Sequence, residues 1–266
     1  MKRTPAVAGQ FYYADPEKLT KQVEGFVDED ALKEHAKGIL VPHAGLIYSG
    51  AVAGGVYSSI VLPKTIVLIG PNHTGLGSRA SIMHEGQWEM PTGTFQIDSV
   101  LASKIVRETG IVKDAQAHLF EHSLEVQLPF IGYFKKDASI VPITVLSLSL
   151  EELKAAGEGI ARAIKDVKYE VLIAASSDMS HYVPDTEARQ KDRLAIDRVL
   201  ALDPAGLYEI VRKEKISMCG CLPAVIMLYA SLALGARQAR LVKYSTSGEV
   251  SRDYDQVVGY AGIIVK

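Results

Sequence analysis

Three segments of the chain place a histidine just beyond an apolar run. His43 follows the run GILV, and His73 follows TIVLIG after a Gly-Pro turn. A third run, VLIAAS, leads directly into SDMSH, which contains Asp178 and His181. Imidazole and carboxylate groups can bind a transition metal or transfer protons. These four residues are therefore the first candidates for a functional site.

The apolar runs that precede these residues are predicted to be strands of one sheet. They are apolar on both faces, which is typical of a parallel sheet covered by helices on both sides. Asp98 and Gly110 are predicted to cap one of the intervening helices. The predicted strands are 38–41, 65–70, 139–146 and 169–176, and the predicted helices are 49–60, 98–110, 149–166 and 185–202.

The alternation of strands and helices predicts an α/β fold with a largely parallel central sheet and helices on both faces. No segment has the composition of a linker, so residues 1–266 are expected to form one domain. The carboxyl ends of parallel strands share one edge of a sheet, and ligands bind at that edge. We therefore expect His43, His73, Asp178 and His181 to converge, although a lone histidine at a strand end is more often structural.

The remaining histidines have weaker patterns. His35 and His84 are expected to be exposed to solvent. His118 and His122 lie four residues apart in HLFEHSLEVQ and could share a helix face. The segment HLFEH resembles the HExxH motif of zinc proteases only superficially, because its glutamate directly precedes the second histidine.

The two cysteines, Cys219 and Cys221, lie just before a predicted helix that has Pro223 in its first turn. Backbone N–H groups at such a position can lower the pKa of a thiol, and a thiolate could bind metal. Alternatively, both are small buried apolar residues. A disulfide between residues two apart would be strained, so free thiols and a cytoplasmic location are expected. At most one of the two should face a given site.

The charge distribution excludes several classes of partner. The 29 basic and 31 acidic residues are interleaved and give a formal net charge of −2. This balance predicts no binding to nucleic acid and none to a membrane surface. The longest apolar stretch, 221–235, is too short for a membrane span and is predicted to be a buried helix. No signal-peptide core is recognisable, and a small molecule or another protein is the expected partner.

Five segments in order, VPHAGLIYSG, IGPNHTG, EHSLEVQLPF, SSDMSH and MCGCLPA, resemble the Memo family, named for a mediator of ErbB-driven cell motility. That family is similar in structure to the LigB-type class III extradiol dioxygenases, which hold non-haem iron with two histidines and a glutamate. The resemblance implies one transition-metal ion bound by His43, His73 and Cys219. It also implies a catalytic site with His181 as an acid–base residue and Asp178 beside it, and we expect Asp178 to orient His181.

A thiolate in place of the dioxygenase carboxylate changes the expected chemistry. It shifts the preference towards copper, zinc or a redox-tuned iron, and it favours redox activity over ring cleavage. The family resemblance makes iron and copper the leading candidates, ahead of zinc. The resemblance further implies partners of the radical-SAM and AMMECR types. One alternative is a zinc-dependent hydrolase. The other is a module that binds a peptide or phosphopeptide in the cleft, with the metal incidental; its candidate aromatic anchors are Phe11, Tyr12, Tyr48 and Trp88.

Overall fold

A twelve-stranded sheet forms the centre of the protein. The computed structural model describes residues 1–266. The strands are β1 (Lys2–Arg3), β2 (Gly38–Val41), β3 (Thr65–Pro71), β4 (Ala80–Ile82), β5 (Gln87–Met90), β6 (Gly93–Ile97), β7 (Val112–Lys113), β8 (Ser139–Val145), β9 (Val171–Ser176), β10 (His181–Val183), β11 (Ala239–Thr246) and β12 (Val257–Val265).

The helices connect these strands and pack against them. They are α1 (Pro16–Glu24), α2 (Leu46–Ser58), α3 (Ser99–Thr109), α4 (Leu128–Phe134), α5 (Leu150–Lys165), α6 (Asp185–Leu200), α7 (Pro204–Lys213), α8 (Cys221–Ala233) and α9 (Gly248–Ser251). Two short 3₁₀ turns span Gln116–His118 and Glu125–Gln127.

The middle of the sheet is parallel, as predicted. Strands β6, β8, β3, β9 and β2 lie side by side in this order, and every neighbouring pair among them is parallel. Antiparallel pairs occur towards the edges, where β12 pairs with β2, β10 and β11. The strands β2, β3 and β9 therefore end at one edge, with the predicted site residues just beyond them.

Helices cover both faces of the sheet. A Cβ atom on Gly38 would collide with Met227 of α8, whereas one on Gly262 would collide with Val56 of α2. Leu40 lies on the same face as Gly38 and pairs with Ile263, so the neighbouring Gly262 points to the opposite face. The predicted α/β fold with helices on both sides is confirmed.

Most of the predicted elements are present with small shifts at their ends. The Asp98 side chain accepts a hydrogen bond from the backbone N–H of Leu101, and Gly110 ends α3 with φ of +70°. The apolar segment after Cys221 is the buried helix α8. No helix has both the length and the apolar character that crossing a membrane requires. One expectation is wrong: His118 and His122 do not share a helix, because residues 119–124 form a loop.

Candidate metal centre

Two of the predicted site histidines meet at the carboxyl edge of the parallel strands. His43 lies two residues beyond β2, and His73 lies two residues beyond β3. The centroids of their rings are 5.4 Å apart, and the rings are nearly perpendicular. His43 is buried, and His73 is about one-third exposed. The convergence that the sequence pattern predicts for this pair is thus present in the structure.

His122 is the third imidazole at this position. Its ring stacks on that of His73 with centroids 4.7 Å apart, and it lies 5.5 Å from the ring of His43. Ligand nitrogens of the three residues all lie within 4.8 Å of one another. The sequence reasoning missed His122 because it considered only an HExxH-like helix. The signal available was its place in EHSLEVQ, one of the segments that carry the family resemblance.

The hydrogen bonds around His43 determine its tautomer. The hydroxyl of Ser176 has one hydrogen, which it donates to the carbonyl of Ser123 at 2.7 Å. The same oxygen lies 2.8 Å from the side-chain amide nitrogen of Gln127 and 2.8 Å from Nδ1 of His43. It can only accept both of these bonds, so His43 carries its hydrogen on Nδ1. The lone pair on Nε2 is left free for a ligand.

The orientation of the Gln127 amide supports this assignment. Its Nε2 group donates to the carbonyl of Pro42 at 2.9 Å, and its oxygen accepts a bond from the hydroxyl of Tyr57 at 3.1 Å. A carbonyl can only accept, so the nitrogen must face Pro42 and Ser176. Only one assignment of the hydrogens therefore gives every donor and acceptor in the hydrogen-bond network around His43 a partner.

Glu121 orients His73 in the way that Ser176 orients His43, by accepting a hydrogen bond from Nδ1. Its Oε1 atom lies 2.9 Å from Nδ1 of His73, and its Oε2 atom accepts the backbone N–H of His73 at 2.5 Å. The backbone N–H groups of His122 and Ser123 also donate to Oε1. A carboxylate that accepts the Nδ1 hydrogen leaves the Nε2 atom of the histidine available to a ligand and raises its basicity.

The charges of these groups favour binding of a cation. Burial of His43, together with the nearby imidazoles, holds its pKa well below the usual value. Burial also lowers the pKa of His122. Burial would lower the pKa of His73 too, but its hydrogen bond to Glu121 outweighs that effect and raises it. Burial opposes ionisation of Glu121, yet the bonds from His73 and the backbone lower its pKa to about 2. Two neutral imidazoles thus lie beside a carboxylate.

Cys219 reaches the same cluster from the segment before α8. Its Sγ atom lies 3.3 Å from Nε2 of His43 and 3.3 Å from the backbone nitrogen of Asp178. Gly220 permits this approach, because a Cβ atom there would lie 2.3 Å from the carbonyl oxygen of Ser176. Cys219 is not among the three residues whose ligand atoms all lie within 4.8 Å of one another. It is a neighbour of His43 that could provide a further ligand.

The expected lowering of the thiol pKa does not occur. Burial, and after it the charge of Asp178, raises the pKa of Cys219 far above its usual value. These two effects outweigh the lowering of the pKa by the backbone N–H groups at the start of the helix. Cys221 lies in the hydrophobic core, where burial raises its pKa to about 12. As predicted, only one of the two cysteines faces the site.

Asp178 and His181 lie near the cluster but are not bonded to each other. Asp178 is buried, and its Oδ1 atom accepts the backbone N–H of His43 at 2.8 Å. Burial raises its pKa to about 6, although the bonds from His43 and Ala44 act in the opposite direction. The expectation that Asp178 orients His181 is not met. Instead, the carbonyl of Ser217 lies 2.9 Å from Nδ1 of His181 and fixes a hydrogen there, which leaves Nε2 free.

The aromatic residues considered for peptide binding are divided between the core and the site. Tyr12 and Trp88 are buried in the core. The ring of Phe11 packs against His122 at a centroid distance of 4.9 Å, and Tyr48 is partly exposed on α2. A continuous exposed row of these four aromatic residues is therefore not present.

The donor set is well suited to one transition-metal ion. His43 and His73 each have Nδ1 bonded to an oxygen acceptor, which leaves both Nε2 atoms available. Three imidazoles with a thiol beside them are ligands that iron, copper and zinc all accept. The Glu121 carboxylate already receives four hydrogen bonds and serves as the partner of a ligand.

Comparison with known proteins establishes the family of this chain. The model of the Memo-like protein family matches residues 3–264. The chain belongs to the Memo family. It is 42% identical to a MEMO1 family protein of Methanopyrus kandleri, over 100% of this chain and 99% of that protein. MEMO1 family proteins of Methanothermobacter thermautotrophicus and Aquifex aeolicus are 43% and 44% identical, each over 98% of this chain and 99% and 98% of their own.

A solved structure shares the fold of this Memo-family protein. The crystal structure of an uncharacterised protein from Escherichia coli K12 aligns with a TM-score of 0.60 at 13% sequence identity. The alignment covers 86% of this chain and 100% of the other. At this level of identity the likeness establishes the fold alone.

Proposed function

We propose that this protein is a metal-dependent oxidoreductase with one iron or copper ion at the histidine cluster. The observation that carries the proposal is the pair of oriented ligands, His43 and His73. Each has Nδ1 hydrogen-bonded to an oxygen acceptor and Nε2 free, as in established metal sites. An ion bound there would supply a centre that can change its oxidation state.

Two further side chains, those of Cys219 and His122, are candidates to complete the ligand set with His43 and His73. The family resemblance supports Cys219, whose sulfur lies 3.3 Å from the free nitrogen of His43. The geometry supports His122, whose ring is part of the closest group. A soft thiolate suits copper, zinc and an electron-rich iron, and a third imidazole is also a ligand for copper, iron and zinc. We propose His43, His73 and Cys219 as ligands, with His122 as a fourth donor.

His181 is proposed to deliver protons to a substrate bound at the cluster. Its Nδ1 hydrogen is directed at the Ser217 carbonyl, so the exchangeable position is Nε2. Unlike His43, it is partly exposed and can exchange protons with solvent. Asp178 has a different task. It holds the backbone of His43 through Oδ1 and donates its own N–H to the sulfur of Cys219.

Two free thiols and the lack of a membrane-spanning helix support a proposed cytoplasmic location. The proposed ligand is a small molecule or a peptide that enters from the strand edge. Partners of the radical-SAM and AMMECR types are proposed from the family resemblance.

Metal analysis of protein purified without an affinity tag tests the proposal. About one equivalent of iron or copper is expected in the wild-type protein, and His43→Ala and His73→Ala should each abolish loading. His35→Ala is the matched control, because His35 is exposed and is not one of the three clustered histidines. Full metal content in both site variants would place the metal elsewhere.

A zinc-dependent hydrolase is the second candidate. Three imidazoles around one position are the ligand set of a zinc site that activates water. Protein loaded separately with Zn²⁺, Fe²⁺ and Cu²⁺ separates the two functions. Hydrolysis of ester or phosphate substrates by the zinc form alone would favour the hydrolase. Metal-dependent oxygen consumption by the iron or copper form, with an added catechol as the electron donor, supports the oxidoreductase.

A further inference from the structure

The guanidinium group of Arg3 binds the loop that carries His122. Residues 118–125 are called here the metal-site loop. The Nε atom of Arg3 donates to the carbonyl of His118 at 2.8 Å, and Nη2 donates to the carbonyl of Glu121 at 2.7 Å. Its Nη1 atom donates to Oε2 of Glu125 at 2.5 Å. All three nitrogens of one side chain thus bind the loop.

Glu125 binds the amino-terminal segment in return. Its Oε2 atom accepts the backbone N–H of Ala6 at 2.8 Å, and its Oε1 atom accepts the backbone N–H of Val7 at 3.0 Å. The hydroxyl of Tyr12 donates to Oε1 at 2.5 Å. The side chains of both Arg3 and Glu125 are almost completely buried. Two segments more than 100 residues apart are therefore joined by a reciprocal set of charged hydrogen bonds.

The same amino-terminal segment touches the metal centre directly. The ring of Phe11 packs on the ring of His122, with centroids 4.9 Å apart. The carbonyl of Phe11 accepts the backbone N–H of Leu46, the first residue of α2, which follows His43. The segment therefore contacts both the loop of His122 and the helix after His43.

The chemistry of the pair favours a geometric role. A buried ion pair is costly to desolvate and is weak evidence for stability by itself. A guanidinium group is planar and always charged, and it forms several hydrogen bonds in fixed directions. Here it also lies 4.1 Å from the centroid of the Trp88 ring, which fixes its plane. A lysine could keep the charge but could not bind both carbonyls and the carboxylate in this arrangement.

We propose that Arg3, through its contacts with Glu125 and the metal-site loop, is a positioning residue that directs His122 towards His43 and His73. This inference rests on the proposed metal centre. Arg3 lies more than 100 residues from the loop in the sequence, and its side chain does not contact the ligand atoms themselves. Without the hydrogen bonds of Arg3, His122 should no longer reach the metal, and the centre should behave like that of a variant that lacks His122.

Titration of the purified protein with Co²⁺ under anaerobic conditions tests the inference. Affinity is measured by competition with a chelator, and the ligand set by the visible absorption spectrum of the bound ion. Arg3→Lys should weaken Co²⁺ binding by roughly 10–100-fold, as expected when the partner of a ligand is lost. At saturating Co²⁺ its spectrum should match that of His122→Ala. Arg79→Lys, which alters an exposed Arg79–Glu152 pair, is the control.

A double-mutant cycle separates positioning from general destabilisation. If Arg3 acts through His122, Arg3→Lys should have little further effect in the His122→Ala background. Equal losses in both backgrounds, or a wild-type spectrum in Arg3→Lys, would overturn the proposal.

Tyr12→Phe keeps the inference testable if Arg3→Lys does not fold. It removes one hydroxyl bonded to Glu125 and should change affinity and spectrum in the same direction by a smaller factor. In that case, unchanged affinity and an unchanged spectrum in Tyr12→Phe would refute the positioning role alone. Failure of the wild-type protein to bind Co²⁺ would instead refute the metal centre.

Discussion

The imidazole of His73 donates its Nδ1 hydrogen to the carboxylate of Glu121, which also accepts the backbone N–H of His73. Two further backbone N–H groups occupy the same carboxylate. A carboxylate bound in this way has little capacity left for a metal ion. Glu121 therefore acts on the centre through His73, which distinguishes it from the glutamate ligand of the extradiol dioxygenases.

Replacing Glu121 with glutamine should weaken metal binding while leaving all ligand residues in place. The amide cannot accept bonds on both sides, and it lowers the basicity of His73. We expect a loss of roughly 10–100-fold in affinity, the usual result of removing such a partner. Competition with a chelator measures it. Glu108→Gln, which alters a carboxylate paired with Arg162 far from the centre, should leave the affinity unchanged.

The two cysteines provide a matched pair of variants. Cys219→Ser should weaken metal binding strongly, because only Sγ of Cys219 approaches His43. Cys221→Ser should leave metal binding intact, although it places a hydroxyl in the core and should lower the free energy of unfolding. Metal content and thermal unfolding of both variants test the prediction. Equal losses of metal would mean that Cys221 also coordinates the ion.

His118 should limit the stability of the protein in acid. Burial, and after it the charge of Arg3, lowers its pKa to about 3. In the unfolded chain the ring takes up a proton near pH 6.5. Below that pH the unfolded state binds more protons than the folded state, so the free energy of unfolding falls until about pH 3.

Removing the titrating ring isolates this effect. His118→Phe should lose less stability than the wild-type protein between pH 6.5 and 3, by roughly 2–4 kcal/mol. Denaturant unfolding of both proteins with a chelator present measures the difference. A comparison at pH 8, where the wild-type ring is neutral in both states, corrects for the altered packing. If the free energies of unfolding of the two proteins changed equally with pH, His118 would take up its proton over the same pH range in the folded and unfolded states, and the prediction would be wrong.

The sequence predicted the strand-end position of His43 and His73 because both follow apolar runs of the length and composition of buried parallel strands. Topology then requires their convergence. The same logic could not identify His122, which lies in a loop with no regular period. That loop is held by Arg3, more than 100 residues away, through contacts that no local pattern encodes.

The properties of Cys219 were harder to predict for a similar reason. The position before α8 indicates a helix start, where a thiol pKa is often lowered. Its pKa is raised instead, because the segment packs closely on the end of β9 and removes much of the solvent around the sulfur, which also lies beside Asp178. The close approach at Gly220 is a tertiary contact. Local sequence indicates which groups are present, and long-range packing determines their charge.

His181 should matter for turnover and not for metal binding. Its Nδ1 is fixed by the Ser217 carbonyl, and it is absent from the closest group of ligand atoms. We expect His181→Ala to keep its metal but to lower the rate of metal-dependent oxygen consumption by roughly 10²–10⁴-fold, the typical contribution of a general acid. His84→Ala, in the segment before β5, is the control.

The same assay decides between electron transfer and ring cleavage. Iron- and copper-loaded protein would be tested against a panel of catechols while oxygen uptake and ring-opened products are followed. A thiolate ligand donates electron density and can itself be oxidised, which suits electron transfer better than repeated oxygen insertion. We therefore expect oxygen uptake coupled to oxidation of the catechol to a quinone, without ring-opened product. Catalytic ring opening that is lost in His181→Ala would instead establish a dioxygenase.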